Sequence, residues 1–173
     1  LGCFKLEDVQ VGSDQILGRG VLGDSVFEAL LARTQIVTGA VALGIAQAAL
    51  EAAAGHSKAR IQFSKPLAQM QATRNKIADM AAGISASRLL VYQAADKSAT
   101  GVPTTAAAMA KVTAAEVAME AVKEAVQIHG GYGYVKDYTV ERLYRDAVFT
   151  GIYPTVNEAQ RSQIAKAIYR KIS

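Results

Sequence analysis

Tryptophan is absent from the sequence, and cysteine occurs once and proline three times in 173 residues. The single cysteine, Cys3, closes no internal disulfide, so stability has to come from a packed core. With so few prolines, long stretches run without a helix breaker and are filled with Ala, Ile, Leu, Val, Lys and Gln, which makes all-α the expected class. Blocks of one charge are missing as well. The 19 Lys and Arg are dispersed among 15 Asp and Glu, and a net charge of +4 spread in this way argues against nucleic acid as a partner. The most apolar run, Ile36 to Leu50, is about 15 residues, short of the roughly 20 that cross a bilayer. It carries Thr38, Gly39, Gly44 and Gln47 and reads as a core helix, with no membrane span expected. No charged leader followed by an apolar stretch opens the sequence, and a cytoplasmic setting is expected.

What is present is enough for one real core. Hydrophobic residues make up 51% and charged residues 20%, which excludes a disordered tail or a polar linker. Residues 3 to 11 alternate apolar and polar at Phe4, Leu6, Val9 and Val11, a β pattern with no later strand to pair with. The start at Leu1 and this isolated strand together lead us to expect residues upstream. Gly12, Gly18, Gly20 and Gly23 punctuate a loop, after which Asp24 or Ser25 is placed to cap a helix.

Three long helices and two short ones follow from the periodicity. The first runs from Val26 to about Ala54, with Ile36, Ala40, Leu43, Ala46 and Leu50 at helical spacing, and Gly55 and His56 break its pattern. Gly39 and Gly44 are expected at close helix contacts. Pro66 suits the first turn of the second helix, which runs to about Ala95 with an apolar stripe of Met70, Ile77, Met80, Ile84, Leu89 and Val91. Asp96 to Thr104 reads as a linker. Ala106 to His129 forms the third, with Ala107, Ala110, Ala114, Val117, Ala121, Ala125 and Ile128 in register. Tyr138 to Phe149 and Val156 to Ile172 are shorter, separated by Gly151 and Pro154. Long helices joined by short loops form an up-and-down four-helix bundle, here with a short N-terminal β remnant. The expected division is residues 1–24 as a severed β end with its linker, and 25–173 as the helical domain.

Residue chemistry alone identifies no catalytic centre. His56 and His129 lie far apart in sequence, without Cys or carboxylate at metal spacing, and read as structural or surface residues; no metal site is expected. Acidic residues sit beside basic ones, as in Glu141-Arg142 and Arg145-Asp146, and read as solvated pairs. Gly130-Gly131-Tyr132-Gly133-Tyr134 follows a helix rather than a strand, so it is neither a dinucleotide fingerprint nor a phosphate loop. It stops the helix, and it also leaves backbone N–H groups open to a phosphate or adenine. Six of the seven tyrosines lie from Tyr132 onward, where packing at helix ends is the default.

Two segments say more. RIQFSKPLAQMQATRNKIADM, Arg60 to Met80, and AVQIHGGYGYVKDYTVERLYRDA, Ala125 to Ala147, resemble the C-terminal domain of the acyl-CoA dehydrogenase family. ALGIAQAAL, Ala42 to Leu50, resembles the first helix of that domain, and the opening strand with its Leu-Gly turn resembles the end of the family's middle β domain. The resemblance implies an FAD-dependent oxidoreductase subunit about twice this length that removes hydrogen across the α,β carbons of an acyl-CoA or other acyl thioester. An electron-transfer flavoprotein-type acceptor and a homo- or hetero-oligomer go with it. It implies that Arg60 and Phe63 contact the diphosphate and adenine of FAD, with Gln62 and Gln71 nearby. Gln127, Gly130 and Gly131 would reach the FAD of a neighbouring subunit, and Glu158 matches an adenosine-side position. The glycine that usually follows the Phe is Ser64 here.

The departures concern catalysis. The family's base is usually the Glu of an I-Y-E-G-T segment, and this chain reads Ile152-Tyr153-Pro154-Thr155-Val156. In a minority of the family the Glu sits on the first long helix, at the position of Thr34. No catalytic residue is therefore assigned, since neither Pro154 nor Thr34 is a base at neutral pH. The Asp and Arg that commonly touch CoA correspond to Ala32 and Gln35. Besides an active homomer, these departures leave open a non-catalytic subunit whose partner carries the base, and a member with different flavin chemistry.

Overall fold

The computed structural model describes residues 3–16 and 23–172, and Gly18 and Gly20 of the expected glycine loop lie outside them. Five α-helices carry the fold: α1 (Gly23–Ala59), α2 (Gln71–Ser98), α3 (Thr104–His129), α4 (Thr139–Ile152) and α5 (Asn157–Ile172). Between α1 and α2 lies a small antiparallel hairpin, β1 (Ile61–Gln62) and β2 (Lys65–Pro66), with Ile61 opposite Pro66 and Gln62 opposite Lys65.

The direction of each helix follows from residues that meet. Gly39 approaches Ala110 and His56 stacks on His129, so α1 and α3 run parallel. Lys76 pairs with Glu124 and Gly83 faces Val117, so α2 runs antiparallel to them. α4 runs back from Tyr138 beside His129 to Gly151 beside Lys111, and α5 returns with Asn157 near Lys111 and Arg161 paired with Glu116. The result is the up-and-down bundle. α1 and α3 form its most extensive contact, lined by Ala42, Ala46, Ala49 and Ala53 on one side and Ala107, Ala110, Ala114, Ala118, Ala121 and Ala125 on the other. Small side chains at these positions let the two helices approach closely. By length and composition α1 could cross a membrane, yet it is the helix on which α3, α2 and α4 all pack.

Several local expectations change. Residues 3–12 form no strand; they are exposed, with Phe4 at 94%, because among the described residues no partner offers the hydrogen bonds a strand needs. α1 starts at Gly23, so Asp24 and Ser25 lie in its first turn, and it continues through Gly55 and His56 to Ala59. A single exposed glycine costs about 1 kcal/mol in a helix, and burial of Ala53 and Ser57 on either side outweighs that. Pro66 ends a hairpin strand instead of opening α2, which begins at Gln71 and runs on to Ser98. Met80, Ile84 and Val91 are buried as expected on α2, but Leu89, two residues from Val91 and so on the opposite face, is exposed. Gly39 is a close contact, its missing Cβ leaving room for Val91 Cγ2 at 3.3 Å, whereas Gly44 faces open space.

Candidate functional site

Parallel helices end on the same side of a bundle, and that geometry assembles a groove of about 210 Å³ from sequence positions far apart. The last turn of α1 brings His56, followed by Arg60; the hairpin brings Gln62, and the turn after it Leu67; the end of α3 brings Ile128 and His129, leading into Gly130, Gly131 and Tyr132. Two backbone features shape it. α3 stops because Gly130 takes φ +60°, open to glycine without strain, while its N–H donates to the Gln127 carbonyl. Residues 63 and 64 turn the hairpin, both at positive φ (51° and 63°), which holds the strand bearing Gln62 against the end of α1.

His56 and His129 stack with ring centroids 4.2 Å apart, and Tyr138 closes on the pair edge-on, 6.3 Å from His56 and 5.7 Å from His129. Nδ1 of His129 lies 2.8 Å from the Ala125 carbonyl, an acceptor only, so this nitrogen carries a proton and donates it. Burial, then the positive charges of His129 and Arg60, hold His56 below its ordinary value of 6.5. The Arg60 guanidinium lies over the Tyr132 ring, 5.7 Å from its centroid, with no carboxylate partner among the described residues. A Cβ added at Gly130 or Gly131 would meet nothing within 4 Å, so the backbone there is open to whatever occupies the groove. Such a groove can hold a phosphate group against a guanidinium and closely approached backbone.

Of the residues expected at a binding site, Arg60, Gln62, Gly130 and Gly131 share this groove. Phe63 stands at the hairpin tip, 88% exposed. Gln127 is exposed on α3. Gln71 opens α2 and lines a separate depression with Gln69, Arg74 and Asn75, and Glu158 opens α5 beside Arg161, 3.5 Å away. The parallel course of α1 and α3 brings together two histidines that lie far apart in the sequence.

The segment between α4 and α5 is held from beneath by Lys111. Its side chain is fully buried in α3, and Nζ donates to the carbonyls of Gly151 (3.1 Å) and Thr155 (2.9 Å) and to Asn157 Oδ1 (2.7 Å). Burial pulls the ammonium down to about 8, with Glu158 opposing. Pro154 lies between those anchors, after a cis peptide bond. Thr34 donates its hydroxyl to the Leu30 carbonyl at 2.8 Å, one turn back on its own helix. Ala32 and Gln35 are both buried, at 1% and 0%, and Gln35 Nε2 meets the Gln160 side chain at 3.1 Å when that amide presents its oxygen. On α4, Glu141 pairs with Arg145 at 3.0 Å, one turn on, rather than with the adjacent Arg142.

Residues 23–169 match the family model described as acyl-CoA dehydrogenase, C-terminal domain. The chain is 44% identical over 166 residues to the 3-(aryl)acrylate reductase of Clostridium sporogenes, covering 95% of this chain and 44% of the reductase. Among solved structures, butyryl-CoA dehydrogenase from Megasphaera elsdenii superposes with a TM-score of 0.83 at 44% identity, over 86% of this chain and 39% of that one. A chain from the structure of the electron transferring flavoprotein of Acidaminococcus fermentans gives 0.83 at 43% identity, over 86% and 40%. This chain thus spans less than half the length of the relatives it matches.

Proposed function

This chain belongs to the acyl-CoA dehydrogenase family, matching its C-terminal domain, and from that premise we propose that it works within a longer FAD-dependent subunit acting on an acyl thioester. Residues 25–173 are its helical C-terminal domain and 1–24 the end of a preceding β domain. The observation that carries the reading is the convergence of Arg60, Gln62, Gly130 and Gly131 on one groove. The donor set fits a diphosphate: an unpaired guanidinium, an amide side chain and backbone that nothing shields. The guanidinium and the open glycine backbone suit a phosphate group, so this chain contributes the adenosine and diphosphate side.

Arg60 would pair with the diphosphate; Gly130 and Gly131, expected at the FAD of a neighbouring subunit, line the same groove and would approach the same diphosphate, and Phe63 offers an exposed ring to adenine. Gln71, Gln127 and Glu158 lie off this groove and fit contacts to a different stretch of cofactor or to the FAD of a neighbouring subunit. FAD, when bound, supplies the hydride acceptor. An apolar stripe of Phe27, Leu30, Val37 and Val41, exposed along α1, supports an oligomer or interdomain interface. The Acidaminococcus structure supports an electron-transfer flavoprotein as acceptor. A cytoplasmic location completes the reading.

A second reading, a subunit whose partner carries the base, is favoured by Pro154 and by Thr34, whose hydroxyl is spent within its own helix. A positioned base contributes about 100- to 10,000-fold. Anaerobic mixing of the full-length homomer with a panel of acyl-CoAs tests it: flavin absorbance should persist with each of them. Pro154→Glu should add only a trace of bleaching, because Ala32 and Gln35 are buried and cannot hold CoA. Rapid bleaching of the wild-type homomer by any acyl-CoA would show that it possesses a base of its own.

A further inference from the structure

The groove contains two imidazoles that the proposed FAD contacts leave unused. His56 meets Arg60 just past the end of its own helix, His129 from α3, Tyr132 from the turn that follows and Tyr138 from the residue before α4. The charges acting on it are both cationic. Two imidazoles 4.2 Å apart beside a guanidinium resist a further positive charge while the groove holds no anion. An anion reverses the sign of the local field, and a ring at the groove wall then favours its protonated form and gains a charge-assisted hydrogen bond.

We propose that the stacked His56–His129 pair makes this groove a proton-linked anion site, taking up a proton as a phosphate or diphosphate group docks beside Arg60. This rests on the groove being the diphosphate site proposed above, and it adds that affinity there rises as pH falls. The lowered value of His56 in the free protein agrees with it. Docking of an anion shifts His56 toward its charged state. By linkage, a rise of about one unit in the titration of His56 corresponds to tenfold tighter binding once pH lies below both values.

The test is a histidine titration of the chain by NMR, following the Cε1–H resonances and the amides of Gly130 and Gly131, with ADP as probe and adenosine as the phosphate-free control. Saturating ADP should raise the His56 midpoint by about one unit, adenosine should not, and ADP should bind several-fold tighter at pH 5.5 than at pH 7.5. His56→Tyr should lose most of the pH dependence. ADP that perturbs Gly130 and Gly131 without moving His56 would overturn the proton linkage and leave the diphosphate site standing. ADP that perturbs neither would overturn both. An equal shift with adenosine would also overturn the linkage, since no anion would be its cause.

Discussion

Nζ of Lys111, in the buried middle of α3, donates to Oδ1 of Asn157 at 2.7 Å, and the same ammonium holds the carbonyls of Gly151 and Thr155. One side chain thereby ties the end of α4, the connecting turn and the start of α5 to the core. Replacing it leaves three acceptors without their donor, and each buried unsatisfied group costs about 1–3 kcal/mol. Lys111→Met should therefore lose about 2 kcal/mol or more at pH 7 in denaturant unfolding. The pH dependence has a definite sign. The folded value, about 8, is below the ordinary 10.5, so between them the unfolded chain binds more protons and this group adds stability as pH rises. The advantage of wild type over Lys111→Met should widen from pH 7 to pH 10. A constant or shrinking difference would contradict this account of the buried ammonium.

Ser64 sits at φ 63° in the hairpin turn, directly after Phe63 at φ 51°. A side chain in the left-handed region costs about 1–2 kcal/mol relative to glycine. Ser64→Gly should raise stability by about 1 kcal/mol, read as a higher melting temperature, with ligand binding unchanged. No gain would show that the strain at this turn is relieved in solution.

Gly131 and Gly133, two residues apart, make opposite demands. A Cβ at Gly133 would lie 2.6 Å from the Val126 carbonyl oxygen and 3.0 Å from its Cα, both backbone, whereas one at Gly131 meets nothing within 4 Å. Gly133→Ala should destabilise by about 1–3 kcal/mol, the usual cost of overpacking. Gly131→Ala should fold normally and weaken diphosphate binding, because its methyl group enters the space the ligand would use. Thermal melts and ADP titration of the two variants separate these effects, and normal ADP affinity in Gly131→Ala would remove this backbone from the site.

The parts of the fold legible in the sequence are those where periodicity and burial agree. On α3, Ala107, Ala110, Ala114, Ala121 and Ala125 are all at 1% exposure or less, where their spacing placed them. The hairpin was not legible. Its turn is made by Phe63 and Ser64, which carry no turn signal, and a proline that reads as a helix start instead finishes a strand. The end of α1 was hidden by Gly55 and His56, a pair that reads as a stop where tertiary packing continues the helix. Arg60, Gly130 and Gly131 were visible through the resemblance to a family. His56 and His129 were not, since their pairing depends on two helices pointing the same way, a long-range property that no local pattern records. Lys111 was invisible for the same reason: a lysine in an alanine-rich helix gives no sign that three oxygens from 40 to 46 residues later surround its amine.

The central claim is that this domain holds the diphosphate side of FAD through Arg60. The most direct test is fluorescence titration of FAD into the deflavinated full-length subunit, wild type against Arg60→Ala, with melting curves of both. Arg60 is exposed, so the variant should melt like wild type while FAD affinity falls by about 1.5–3 kcal/mol, the loss expected for a charge-assisted contact. Equal FAD affinity in the two proteins would contradict the claim.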